Sequence, residues 1–176
     1  MNITKEQAAK LVEALLARRQ SDEATPDLAI IGVNETTVGW VVAWQSAEYK
    51  RDPGPRKMLV GGGPYLVDGE DGSIFEIPGE TFRTADWQGI YRQQFKGYRP
   101  PDPVLESVLA TLRSDGQFAA IRLVRKSVPS FSISEAKAYV SAVQNVGTPP
   151  GELVQRTRVV DPCPPLPIRR ISGPAI

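Results

Sequence analysis

Apolar residues recur at helical spacing in "ITKEQAAKLVEALLARR", where Ala8, Leu11, Val12, Leu15 and Leu16 share one face. Thr4 and Gln7 stand three apart at its start, the spacing at which each side chain caps the other's backbone N–H, so the pattern predicts a capped amphipathic helix over Thr4–Arg19. The period then changes to two. "LAIIGV" and "VGWVVAWQ" flank the polar turn Asn34–Thr37 and predict an antiparallel hairpin, with Trp40, Val42 and Trp44 on one face and Val41 and Ala43 on the other. "RDPGPR" interrupts the chain, and "PYLVD" with "SIFEI" predicts a second hairpin around Gly69–Gly72. Thr84 is expected to cap a short helix whose inner face carries Trp87, Ile90, Tyr91 and Phe95. The fold class is therefore α+β: an N-terminal helix packed on an antiparallel sheet of about four strands, over residues 1–97. Leu11, Leu15, Val42, Leu66 and Ile74 are expected in its core.

"YRPPDP" reads as a stiff linker, with Asp102–Pro103 as a helix start. Residues 103–145 hold three helical patterns, "PVLESVLATLR", "QFAAIRLVRKS" and "SISEAKAYVSAV", the last opened by a capping box of Ser132 with Glu135. They predict a small helical module with a basic edge of Arg122, Arg125 and Lys137. Prolines accumulate over residues 147–176, which read as an extended tail.

Composition narrows the chemistry. The chain of 176 residues carries a net charge of +1 with 23% charged residues, so no broad surface for specific nucleic-acid binding is expected. No apolar run reaches bilayer length, and Lys5, Glu6 and Lys10 lie among the first apolar residues, which argues against membrane association and for a cytoplasmic protein. There is no histidine, which removes triads with a histidine base and histidine–metal sites, and the one cysteine, Cys163, forms no intrachain disulfide. No enzyme, cofactor or metal site is expected. "GGGP" at Gly61–Pro64 runs into a strand rather than a helix N-terminus, so close packing against Trp40 or Trp44 is a better reading than phosphate binding. Asp68, Glu70 and Asp71 lack the ligand spacing of a calcium loop and read as solvated turn residues.

The order of elements in "GWVVAWQSAEY", a spacer and "LVGGGPYLVDGEDGSIFEIPG", behind a capped helix, resembles immunity protein family 35 of bacterial polymorphic toxin systems. The matching residues run from the Gly39–Trp40 opening through Trp44, Ser46 and Tyr49 to Gly61, Pro64, Val67–Asp68 and Asp71–Gly72; the spacer "RDPGPRK" departs from a shorter acidic and polar one. The resemblance implies non-catalytic neutralisation of a cognate toxin protein. Its expected contact residues are Trp44, Ser46, Tyr49, Gly61, Gly62, Gly63, Pro64 and Tyr65, with Trp40 in the core. "AAIRLVRKSVPSFSISEAKAYV" is similar to the helix pair of the ribosomal stalk protein's C-terminal domain, through Ile121, Arg122, Val124, Arg125, Glu135, Ala136 and Lys137. That likeness implies a second reading, an adaptor that meets the ribosome or a translation factor through Arg122, Arg125 and Lys137.

Overall fold

A computed structural model describes residues 2–20, 26–158 and 162–174. Its elements are, in chain order, α1 (Lys5–Arg19), β1 (Leu28–Thr36), β2 (Gly39–Ser46), α2 (Ala47–Arg51), β3 (Tyr65–Asp68), β4 (Ile74–Glu76), α3 (Gly79–Thr84), α4 (Trp87–Phe95), α5 (Leu105–Ser114), α6 (Gly116–Ser127), α7 (Ile133–Val146), α8 (Gly151–Arg156) and β5 (Arg169–Ser172). They form two compact units, one of residues 1–98 with 164–176 and one of residues 99–163.

In the first unit an antiparallel sheet runs β1-β2-β3-β4-β5. Alternation along β2 sends its side chains to opposite faces, and each face has its own cover. On one face Ala8, Val12 and Leu16 of α1 pack with Val42, Tyr65, Val67 and Ile74, joined by partly buried Leu11, Leu15, Trp40 and Trp44. On the other, Val41, Leu66, Phe75, Ile77 and Ile168 meet Tyr91 of α4, with Trp87, Ile90 and Phe95 around them. Both halves of the expected capping box on α1 are formed, and Leu11 and Leu15 flank the buried stripe of that helix. Gly39 opens β2 at φ +147°, where a Cβ would lie 2.1 Å from the Val67 carbonyl oxygen, so the strands approach there only without a side chain.

The sheet has five strands where about four are expected, because β5 comes from the proline-rich C-terminal segment. Phe75 pairs with Arg170 and Glu76 with Arg169, while Ile168 is buried on the α4 face. The same segment also holds the α8 helix, so it is not extended throughout. Thr84 closes α3 rather than capping the next helix; Asp86 caps α4, its carboxylate accepting from the Gly89 N–H.

In the second unit the three predicted helical patterns become α5, α6 and α7. Val108, Ala120, Val124, Phe131, Ala136, Tyr139, Val140 and Val143 form its core, with Leu153 of α8 packed against them. Asp102 accepts hydrogen bonds from the Tyr139 hydroxyl (2.6 Å) and the Thr157 hydroxyl (2.9 Å), tying both ends of this unit together. The capping box of Ser132 and Glu135 is formed. Arg156, and then the Ser132 bonds, draw the Glu135 carboxyl down to about 2.

Candidate partner-binding surface

The end of β2 and the loop that follows it are locked together. Gln45 clamps Leu59 with its whole amide, donating to the Leu59 carbonyl (3.0 Å) and accepting from the Leu59 N–H (2.7 Å). Ser46 caps α2 by accepting from the Tyr49 N–H (3.0 Å), and its hydroxyl donates to the Lys57 carbonyl (2.9 Å). Lys57 in turn holds Asp52 at 2.6 Å and Glu48 at 3.3 Å. A loop of prolines and glycines with no period of its own is thereby fixed by side chains from its neighbours.

Clamping Leu59 turns the residues on either side of it outward. Val60 is 86% exposed and Met58 46%. Beside them Tyr49, Pro53, Gly54, Pro55 and Met58 line a shallow depression of about 290 Å³. Leaving large apolar side chains in water forgoes roughly 1.5–3 kcal/mol each. The feature is a fixed apolar ridge.

The glycines after the ridge sit against aromatic rings. The Trp44 indole N–H donates to the Gly63 carbonyl (2.9 Å), and its ring stacks on Tyr65 with centroids 5.9 Å apart and planes at 16°. Arg19 of α1 lies over Tyr65, 5.6 Å from the ring centroid. A Cβ on Gly62 would fall 2.8 Å from the Trp44 ring, so Trp44 is the tryptophan that the glycine turn packs on. Trp40 is held in the core, its N–H donating to the Ile3 carbonyl at 2.8 Å.

This geometry sorts the expected contact residues. Tyr65 is fully buried and Ser46 nearly so, which makes them supports of the surface and not anchors on it. Gly63 is buried too, whereas Gly61 and Gly62 are exposed and Trp44, Tyr49 and Pro64 are half-buried. Met58 and Val60 were not among the expected residues. Their only signal in the sequence is a short apolar run, "MLV", standing between prolines and glycines outside any strand.

A second constellation lies at the β3–β4 turn. Asp68 is buried and accepts hydrogen bonds from the Tyr91 hydroxyl and the Glu70 N–H (2.7 Å), while Lys96 pairs with it at 2.6 Å. Burial works against its charged form, but the bonds from Lys96, Tyr91 and Glu70 outweigh that and hold the carboxyl below its ordinary value of 3.8. Burial and then Asp68 push the Tyr91 phenol up. The reading of Asp68 as a solvated turn residue is thus corrected, though Glu70 is exposed as expected. Arg92, Lys96, Tyr98, Thr37 and Glu70 line an open cleft of about 590 Å³ beside it. Arg92 and Gln88 of α4 both hydrogen-bond Thr37 at the β1–β2 turn, so these groups brace the helix on the hairpin tips.

A depressed carboxyl stabilises the fold above its unfolded value, and that contribution is lost as pH falls through the folded one. The first unit is therefore expected to lose stability as pH drops below about 4. Asp68→Asn is expected to cost roughly 2–3 kcal/mol at pH 7, at the low end for a buried pair because Lys96 is partly exposed, and to flatten that part of the acid dependence. All three tryptophans, Trp40, Trp44 and Trp87, lie in this unit, so tryptophan fluorescence during urea unfolding from pH 3 to 7 reads it directly.

In the second unit Arg122, Arg125 and Lys137 are all exposed, the first two on one face of α6. Phe118, one turn before Arg122, is 85% exposed. Among the described residues there is no cluster of three metal-ligating side chains, and no helix is long and apolar enough to cross a membrane.

No curated protein and no solved structure matches the chain. It is to the family Immunity protein 35 that the first unit is similar: residues 6–90, from the first turn of α1 into α4, match that family's model, over the stretch on which the sequence resemblance rests.

Proposed function

We propose that this chain is an immunity protein that neutralises a cognate toxin domain in the cytoplasm by binding alone, with the Met58–Val60 ridge at the centre of its contact surface. The observation that carries the placement is Val60, 86% exposed on a loop that Gln45, Ser46 and Lys57 hold rigid. The match of residues 6–90 to Immunity protein 35 supports the class of function. An apolar anchor whose backbone is already held loses little entropy on docking, and Trp44 and Tyr49 beside it are of the residue types that carry most interface energy. Trp44, Tyr49, Gly61 and Gly62 border the ridge and complete the surface. Ser46, Gly63 and Tyr65 hold it from beneath.

The test is protection of cells that express a candidate toxin domain taken from the neighbourhood of this chain's gene. Val60→Asp changes an exposed position, so thermal unfolding should barely move. Binding should weaken by about 2 kcal/mol or more, roughly thirtyfold in Kd, and protection should fail. A folded Val60→Asp protein that protects fully would remove the ridge from the interface. A parent protein that neither binds nor protects against that toxin would remove the immunity function itself.

A further inference from the structure

We infer that the ridge docks into a toxin surface whose receiving pocket is apolar and rimmed by carboxylates; this deepens the immunity reading and rests on it. The charge around the ridge is lopsided. Residues 48–57 hold four basic and two acidic side chains, an excess of two positive charges within a chain whose net charge is +1. Both acids are already engaged, since Glu48 and Asp52 share the Lys57 ammonium at 3.3 and 2.6 Å. Lys50, Arg51 and Arg56 are exposed, and none of them has a carboxylate partner within 4.0 Å among the described residues. Lys50 lines a different depression, with Glu13, Leu16, Gln20 and Leu28, so the unspent cations that flank Met58 and Val60 along the chain are Arg51 and Arg56, with the neighbouring acids neutralised from within.

Complementarity fixes the occupant. A matching protein surface places its own acids opposite Arg51 and Arg56, and an apolar depression opposite Met58 and Val60. A phosphate backbone would satisfy the cations but would leave both apolar side chains in water, and no fully exposed aromatic ring stands here for bases to stack on. The groove in which a nuclease binds its substrate is itself basic and would be repelled. The toxin surface covered by this ridge is accordingly an acidic-rimmed pocket and not a nucleic-acid groove.

The test titrates the full-length chain against the toxin domain encoded beside its gene, inactivated by substitution, over a range of salt. The double variant Arg51→Glu/Arg56→Glu changes exposed side chains that have no hydrogen-bond or ion-pair partner among the described residues. Its Kd is expected to rise at least tenfold at about 0.05 M salt, mainly through slower association, and the difference should shrink toward about 0.5 M as screening grows. If the parent and the double variant bind equally, or the variant binds more tightly, while Val60→Asp still weakens binding, the acidic rim is wrong and the immunity reading stands. If the parent does not bind that toxin, both fall together.

Discussion

Gly63→Ala is expected to be among the most damaging single substitutions in the first unit, costing on the order of 3–5 kcal/mol. The reason is backbone, not side chain: a Cβ at Gly63 would lie 1.7 Å from the Ile77 carbonyl oxygen and 2.8 Å from the Gly79 N. Neither atom can swing aside, since the Ile77 N–H is bonded to the Pro64 carbonyl at 3.0 Å and Gly79 begins α3. The neighbouring glycines supply the contrast. At Gly62 the new methyl meets the Trp44 ring at 2.8 Å, and that ring is pinned by its bond to Gly63 and its stack on Tyr65. A cost of about 1–2 kcal/mol is expected there. At Gly61 nothing lies within 4 Å, and only the positive φ of +97° is strained, worth roughly 1 kcal/mol. Thermal unfolding followed by tryptophan fluorescence should rank the variants in that order. Equal losses at all three, or a harmless Gly63→Ala, would mean that the turn does not pack on the β4–α3 corner.

The same turn shows how far local sequence carries. The run of glycines ahead of a strand is enough to read close backbone packing, and Trp44 was one of two candidates for what it packs on. Which ring is met depends on the β2–β3 register, where Val42 faces Tyr65, and that is a property of the sheet. Period-two alternation in "GWVVAWQ" places Trp40, Val42 and Trp44 opposite Val41 without any tertiary knowledge, because a strand has no other way to direct successive side chains. Capping boxes are legible for the same reason, since every partner lies within four residues.

What local reading misses is set by distant partners. Asp68 looks like a turn carboxylate until Tyr91, 23 residues later, closes over it. Asp86 and Thr84 are both capable caps, and only the path of the chain through Ala85 selects the aspartate. The ridge is hidden because Met58 and Val60 have no amphipathic period; they point outward because the Gln45 amide takes both backbone groups of Leu59. Among the expected contacts, Ser46 and Tyr65 stand at strand ends, where exposure is a fair first guess. The loop and α1 cover them instead.

The last strand makes the same point with a large expected effect. Ending the chain after Cys163 should destabilise the first unit by on the order of 4 kcal/mol and lower the midpoint of its tryptophan signal by many degrees. Burial of Ile168 alone is worth roughly 1.5–3 kcal/mol, and the ladder to β4 adds to it. Further ties would go as well: Thr81 donates to the Leu166 carbonyl at 2.9 Å, the Ile168 N–H donates to Gln94 at 3.2 Å, and Arg170 lies over the Phe75 ring at 5.3 Å. The prolines that mark this segment as an extended tail serve the docking, because Pro164, Pro165 and Pro167 restrict φ to extended values and reduce the entropy lost when β5 pairs. Without β5 the β4 edge, with Phe75 on it, would be open to pairing between molecules, so light scattering should rise as the midpoint falls. The second unit has its own core, and its helical circular dichroism should persist in the shortened chain. An unchanged tryptophan midpoint after truncation would show that the C-terminal strand contributes nothing to the sheet.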